Sequence, residues 1–217
     1  MIKVGFSNPI ALRFAGIGGQ GNILMGIVLA KALIKEGKWV VQSQSYTAQV
    51  RGGPSHCDVL YSDEWIDYPK AENFDVLFAL HPSAILRHYT LLKKNGIFFV
   101  DTSMMKMESF TCINPETIPS GFPIEVCRIT RKILGYPFTK AAIDKFHTGV
   151  VANMMSLGAL VKVTGLVSLE TLKETVSKTV KKKYLNMNLE AIDYGYEIFD
   201  KEYKLDQRKK KHPIGFE

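Results

Sequence analysis

Several features that mark whole classes of proteins are scarce in this chain of 217 residues. No apolar run reaches the roughly 18–20 residues that a membrane-spanning helix needs. Residues 1–4 lack the basic and apolar regions of a secretory signal, so we expect a cytoplasmic protein with no membrane partner. The three cysteines are far apart without C-x-x-C spacing, which excludes an iron–sulfur or zinc site built from them alone and favours reduced thiols.

Residue patterns typical of catalysis are also missing. The five histidines are isolated, and the chain has no H-x-x-x-H pair, metal-type carboxylate cluster or Walker lysine. We therefore predict neither catalytic nor metal-ligating residues here. The net charge of +7 comes partly from basic runs at residues 181–183 and 208–211, and without interleaved aromatic residues these do not indicate nucleic-acid binding.

The most informative stretch is a glycine-rich loop between a predicted strand and a long apolar helix. Residues 16–21 read G-I-G-G-Q-G, so that Gly16, Gly18 and Gly21 match G-x-G-x-x-G. Such a turn leaves backbone N–H groups unpaired at a helix N-terminus, where the helix dipole attracts anions. The loop is a candidate phosphate or pyrophosphate site; alternatively, its glycines only permit a tight turn with close helix–sheet packing.

A second polar stretch follows the second predicted strand. An NAD-binding domain has an Asp or Glu at the end of that strand, but residues 42–45 are Gln, Ser, Gln and Ser, which disfavours an NAD dehydrogenase. Further along, Arg51 precedes Gly52 and Gly53. An arginine beside flexible backbone suits a phosphate or carboxylate, although Arg51 could instead tie down a helix C-terminus. This stretch lies close to the glycine loop if the first two strands are neighbours.

The pattern of apolar segments predicts a three-layer α/β/α fold with a mostly parallel sheet and a C-terminal helical region. The first two strands and the helix between them are expected to begin a parallel unit, and the third strand an antiparallel excursion. We assign residues 1–204 to one domain and residues 205–217 to a flexible basic tail. Strands are predicted at residues 11–15, 39–43, 56–61, 74–80 and 96–101.

The C-terminal half gives weaker signals. A last strand is predicted at residues 124–127 and a short helix over residues 128–134. Residues 148–163 are rich in small side chains, which predicts a tightly packed helix at a subunit contact. Ser168 is a predicted N-cap of another helix, and a final helix is expected over residues 186–203.

Several motifs in one order resemble the gamma subunits of 2-oxoacid:ferredoxin oxidoreductases. They are the glycine loop, residues 42–46 with the Arg-Gly-Gly at residues 51–53, residues 62–69, and residues 153–168. The similarity runs from about Arg13 to Tyr196. It implies an enzyme complex that decarboxylates a 2-oxoacid on thiamine diphosphate, passes electrons through [4Fe–4S] clusters to ferredoxin and transfers the acyl group to coenzyme A.

The resemblance also implies where the cofactors and partners lie. Thiamine diphosphate, Mg and [4Fe–4S] are expected on alpha, beta and delta subunits, with coenzyme A as a co-substrate near this chain. We expect its phosphates on the glycine loop, with Arg51 as a second charged contact. The full set of expected cofactor-binding residues is Gly18, Gly19, Gln20, Gly21, Asn22, Gln44, Ser45, Tyr46, Arg51, Gly52 and Gly53.

The two loops resemble the enzymes for 2-oxoglutarate or branched-chain 2-oxoacids more than those for pyruvate, and we take 2-oxoglutarate as the expected substrate. Branched-chain 2-oxoacids, pyruvate and indolepyruvate are the alternatives within the family. Thr47 and Gln49 depart from the glycine and glutamate usual in the second loop. In a different functional class, the chain would be a non-catalytic nucleotide- or coenzyme A-binding assembly module that uses its basic tail.

Overall fold

The computed structural model describes residues 9–49, 51–105 and 122–205, in which six strands form one sheet and seven α-helices pack against it. The strands are β1 (Ile10–Ile17), β2 (Trp39–Tyr46), β3 (Pro54–Ser62), β4 (Phe74–Ala79), β5 (Leu92–Asp101) and β6 (Lys132–Tyr136). The helices are α1 (Asn22–Lys35), α2 (Pro82–His88), α3 (Val126–Ile129), α4 (Phe138–Phe146), α5 (Ala152–Thr164), α6 (Leu169–Thr179) and α7 (Leu185–Tyr196). Throughout this part of the chain, the helices lack the combination of length and apolar character that a bilayer span requires.

The sheet is mixed, with the strand order β2-β3-β1-β4-β5-β6. Its β1, β4, β5 and β6 strands are parallel neighbours, whereas β3 runs antiparallel to both β1 and β2. The expectation that β1 and β2 are neighbours is therefore wrong. The reason is that β3, predicted as an antiparallel excursion, pairs with both strands and lies between them, which leaves β2 at the sheet edge.

Helices cover both faces of the sheet, so the three-layer α/β/α prediction is confirmed. Alternate residues of β1 show the division, since Leu12 and Phe14 pack into the larger core formed with α1, α5, α6 and α7. Ala15 faces the other way, into a smaller core that includes Ala84 of α2 and Val126 of α3. Strand β1 is thus buried on both sides and fixes the position of the loop that follows it.

Residues 124–136 differ from their prediction. A helix, α3, begins within the segment where the last strand was expected, and β6 takes residues 132–134 of the segment predicted as a short helix. Strand β6 is held by parallel pairing with β5, and Thr130 reinforces it by donating to the carbonyl oxygen of Gly96 at 2.5 Å and accepting from the Lys132 N–H at 3.0 Å. Periodicity in so short a segment does not distinguish a strand from a helix, and the available β5 edge decides the outcome.

The small residues of α5 permit a close approach of α7 within the same chain. A Cβ atom on Gly158 would collide with the carbonyl oxygen of Ile192, and one on Gly195 with the carbonyl oxygen of Met155. The predicted tight packing of this helix is confirmed. The contact that explains it is intramolecular, while the expected subunit contact remains a prediction.

Several smaller predictions have clear outcomes. Ser168 caps α6 by accepting from the Thr171 N–H at 3.1 Å, as predicted. The final helix ends earlier than expected, at Tyr196. Cys57 is a buried free thiol, but Cys127 is disulfide-bonded, so the expectation of reduced thiols is wrong for Cys127. Residues 206–217, most of the predicted tail, lie outside the described residues.

Candidate anion-binding site

The glycine loop joins the end of β1 to the start of α1. Gly21 is the N-cap of α1 with φ 81°, and Gly19 has φ 103°, so both adopt the left-handed conformation that side chains other than glycine rarely tolerate. No side chain caps the first turn of α1, and this turn contains no acidic residue. The helix therefore presents N–H groups and the positive end of its dipole, which together favour an anion.

Two backbone hydrogen bonds hold the second polar stretch against the glycine loop. The Gly18 N–H donates to the carbonyl oxygen of Gly53 at 2.8 Å, and the Gly52 N–H donates to the carbonyl oxygen of Gly18 at 3.1 Å. The two stretches are thus close together, as predicted, although β1 and β2 are not neighbours. They meet because β3, which does pair with β1, begins immediately after Gly53.

A cavity of about 510 Å³ lies at this junction. Six of the eleven expected site residues line its polar side: Gly18, Gly19, Gly21, Asn22, Tyr46 and Gly53. Three side chains of α1, Ile23, Leu24 and Ile27, add an apolar wall that the sequence reasoning missed, together with Gln49 and Ser55. Their helical spacing was visible in the sequence, but it reads equally well as ordinary core packing.

Two of the expected ligand-binding side chains are instead engaged within the protein. Gln20 accepts from the Ile17 N–H at 2.9 Å and donates to the carbonyl oxygen of Leu80 at 2.8 Å, so its amide joins the loop to the end of β4. Asn22 is buried and donates to the carbonyl oxygen of Ser55 at 2.7 Å, which fastens α1 to β3. These side chains shape the cavity, while the backbone supplies its donors.

Of the remaining expected residues, some line the cavity and others lie outside its lining. Tyr46 is 66% exposed and lines it, but Ser45 pairs with His56 in the β2–β3 register and belongs to the opposite sheet face, since successive strand residues alternate. Gln44 and Gly52 are outside the lining. Arg51, two positions before the cavity residue Gly53, is exposed. It makes no hydrogen bond or ion pair with the described residues.

A charged cluster that the sequence reasoning missed lies on the opposite face of the sheet. Arg13 of β1 forms a bidentate ion pair with Asp58 of β3, with both N–O distances at 2.7 Å. Its Nη1 lies 3.3 Å from Nδ1 of His88, and the rings of His88 and His56 are 5.4 Å apart. The signal was the β1–β3 register, which pairs Arg13 with Asp58 and which sequence spacing alone does not give.

Burial and the neighbouring guanidinium lower the pKa of both histidines of this cluster. Desolvation, followed by the positive charge of Arg13, lowers the pKa of His88 to about 4. The same two causes, in the same order, lower the pKa of His56. Asp58 opposes both shifts, but it is already paired with Arg13.

This cluster predicts an acid-dependent loss of stability. Below the ordinary histidine pKa of 6.5, His88 is protonated in the unfolded chain, whereas in the folded chain its pKa of about 4 keeps it neutral down to that pH. The free energy of unfolding should therefore fall as the pH is lowered from 6.5 to about 4. Allowing for partial solvent screening, we expect His88 to contribute ~2 kcal/mol to the loss. Urea unfolding of the wild type and of His88→Gln across this window measures it. Identical pH dependence in the two proteins would contradict the prediction.

Comparison with known proteins identifies the family. The family model described as pyruvate ferredoxin/flavodoxin oxidoreductase matches residues 11–198. The chain belongs to this family. Within it, 2-oxoglutarate synthase subunit KorC of Methanothermobacter marburgensis is 37% identical over 188 residues, covering 86% of this chain and 95% of the relative. Pyruvate synthase subunit PorC of Thermotoga maritima is 29% identical over 192 residues, covering 86% of this chain and 92% of the relative.

Solved structures of the family support the same relationship. The gamma subunit of a keto/oxoacid ferredoxin oxidoreductase from Geobacter sulfurreducens PCA matches with a TM-score of 0.71 and 31% identity, covering 88% of this chain and 96% of that one. The 2-oxoglutarate:ferredoxin oxidoreductase from Magnetococcus marinus, with 2-oxoglutarate, coenzyme A and succinyl-CoA bound, matches with a TM-score of 0.69 and 26% identity. That match covers 87% of this chain and 30% of the longer one. The resemblance to gamma subunits of 2-oxoacid:ferredoxin oxidoreductases is confirmed.

Proposed function

We propose that this chain is the gamma subunit of an enzyme that oxidatively decarboxylates 2-oxoglutarate to an acyl-CoA and reduces ferredoxin. The observation that carries the choice of acid is the 37% identity to a 2-oxoglutarate synthase subunit over 86% of the chain, against 29% to a pyruvate synthase subunit over a similar length. Branched-chain 2-oxoacids, pyruvate and indolepyruvate are the alternatives that an activity assay separates.

Coenzyme A is the ligand we propose for the cavity beside the glycine loop. Its phosphates need donors and positive potential, which the uncapped N-terminus of α1 supplies. Its longer, less polar arm needs an apolar surface, which Ile23, Leu24 and Ile27 supply along the same helix. The Magnetococcus marinus enzyme has coenzyme A bound, which supports this class of ligand.

We assign the other cofactors to partner subunits of alpha, beta and delta type. Within residues 9–49, 51–105 and 122–205, no three His, Cys, Asp or Glu side chains converge on a metal position, which supports this assignment. The proposed role of this chain is thus to bind and orient coenzyme A, while thiamine diphosphate, Mg and [4Fe–4S] act elsewhere in the complex.

The experiment that tests the proposal is an anaerobic purification of the tagged chain from its native host. Co-purification of larger subunits with coenzyme A-dependent viologen reduction on 2-oxoglutarate is the expected result. Activity on pyruvate, a branched-chain acid or indolepyruvate instead would overturn the choice of substrate. A colourless single chain, inactive on every acid, would favour the non-catalytic assembly module.

Arg51→Ala tests the second charged contact of the site. A hydrogen bond to a charged group contributes about 1.5 kcal/mol, so we expect the KM for coenzyme A to rise about tenfold in the complex while kcat stays unchanged. Arg131→Ala is the matched control, because Arg131 is also exposed but lies between α3 and β6. An Arg51→Ala complex with the KM of the control would remove Arg51 from the site.

A further inference from the structure

Asn153 is a buried polar residue in the first turn of α5, only 4% exposed and surrounded in sequence by buried apolar residues. Its Oδ1 accepts from the Met154 N–H at 2.8 Å. This bond fixes the orientation of the side-chain amide, because a flipped amide would set two donors against each other. The Nδ2 group is therefore the end of the side chain that faces away from α5.

The Nδ2 group of Asn153 faces the glycine loop. A Cβ atom on Gly21 would collide with it, so only a residue without a side chain leaves the space in front of this amide open. Gly21 is both the N-cap of α1 and part of the cavity lining. Asn153 thus adds a donor from a second helix to the N-terminus of the first.

Neither proton of this amide has an acceptor among the residues that the structure describes. The only hydrogen bond of the Asn153 side chain to a described residue is the one that Oδ1 accepts. The residue is 4% exposed, but Nδ2 is not among the fully enclosed side-chain atoms without a partner in the described part of the chain, so a water or a ligand can reach it and accept from it. Ser156, one turn along α5, has a buried hydroxyl without a partner among the described residues. Neither Ser156 nor Asn153 lines the cavity itself, but the Nδ2 of Asn153 adjoins Gly21, which does. The position beside Gly21 is therefore what points to a ligand.

We infer that Asn153 is a ligand-binding residue of the glycine-loop site, where its Nδ2 donates to a phosphate oxygen. The inference rests on the proposed function in that it takes coenzyme A as the natural ligand, and it deepens that function by naming a contact from α5. A neutral amide donor suits the site because it stabilises an anion without adding a proton that the anion could remove. The backbone N–H groups of α1 and the amide of Asn153 then hold the phosphate from two sides.

The test measures binding of inorganic pyrophosphate and of coenzyme A to the purified full-length chain by calorimetry. Asn153→Asp replaces the donor with a carboxylate of the same shape, and we expect it to weaken both ligands at least thirtyfold. Ser156→Ala is the matched control and should stay within twofold of the wild type. Wild-type affinity in Asn153→Asp would overturn the inference.

A second measurement needs no variant and so does not depend on how Asn153→Asp folds. In nitrogen-15 NMR spectra of the wild type, the side-chain amide signals of Asn153 should shift as pyrophosphate is added. Those of Asn188 should not, because its Nδ2 already donates to the carbonyl oxygen of Tyr184 at 2.7 Å. Unmoved Asn153 signals at saturating pyrophosphate would overturn the inference.

The outcomes separate this inference from the proposed function. Binding of pyrophosphate through Asn153 without binding of coenzyme A would support the inference and count against coenzyme A as the ligand. Binding of coenzyme A with unaltered affinity in Asn153→Asp would leave the proposed function standing and remove Asn153. A wild-type chain that binds neither ligand would overturn both.

Discussion

Replacing Asp58 by alanine is expected to lower the free energy of unfolding by about 3–5 kcal/mol, because it leaves the Arg13 charge buried without its partner. The two side chains are each 11% exposed and share two hydrogen bonds. The Cζ atom of Arg13 also lies 4.2 Å from the centroid of the Phe74 ring, so moving the guanidinium into solvent would break this contact. Denaturant unfolding of the isolated chain measures the loss.

Two further variants separate burial from charge. Asp63→Ala removes one member of the Lys38–Asp63 pair, whose Asp63 side chain is 60% exposed, and should cost less than about 1 kcal/mol. The double variant Arg13→Met/Asp58→Leu removes both buried charges and should recover most of the stability lost in Asp58→Ala. Equal losses in Asp58→Ala and Asp63→Ala would contradict the explanation. Arg13 and Asp58 lie across the sheet from the cavity, and Asp63 is not part of its lining, so coenzyme A binding should survive in all three variants.

The parts of the fold that were predictable from sequence are those marked by a local residue pattern with a single structural interpretation. The β1–loop–α1 unit carries glycines at fixed spacing, and β4 and β5 are continuous apolar runs, so each was placed correctly. The order of strands was not predictable in the same way. Strand β3 pairs with both β1 and β2, and this choice depends on long-range hydrogen bonding that no local pattern records.

The candidate site shows the same limit at the level of side chains. The glycine loop and the Arg-Gly-Gly stretch are neighbours, as predicted, but they meet through the pairing of β1 with β3 and not through the adjacent β1 and β2 on which the prediction depended. The roles of individual residues were harder to predict. Gln20 has the chemistry of a ligand-binding side chain, but its amide is satisfied by Ile17 and Leu80. Asn153 has no local signal beyond being a polar residue within an apolar helix, since its proximity to Gly21 arises from packing between distant elements.

Gly21→Ala is expected to raise the Kd for coenzyme A about a hundredfold. At φ 81° an alanine is strained by about 1–2 kcal/mol. We expect the backbone to relieve this strain by rotating peptide groups next to residue 21, which moves the N–H groups at the start of α1 away from the ligand. The added methyl group also displaces the Asn153 amide. Loss of two hydrogen bonds to a charged group, at about 1.5 kcal/mol each, corresponds to the hundredfold effect. Calorimetric titration of the full-length chain measures it.

Gly37→Ala is the control that separates the effect of backbone strain from an effect on the binding site. Gly37 also has φ 81°, but it follows the opposite end of α1 and a Cβ atom there would meet nothing within 4 Å. Both variants should lose stability through the same backbone strain, Gly21→Ala should lose more because its methyl group also meets the Asn153 amide, and only Gly21→Ala should lose affinity. Gly19→Ala, strained but also in open space, should lie between them at about a tenfold loss, because it perturbs the loop without moving Asn153. If all three bind coenzyme A as the wild type does, the glycines serve only the tight turn, and the cavity they border is not where coenzyme A binds.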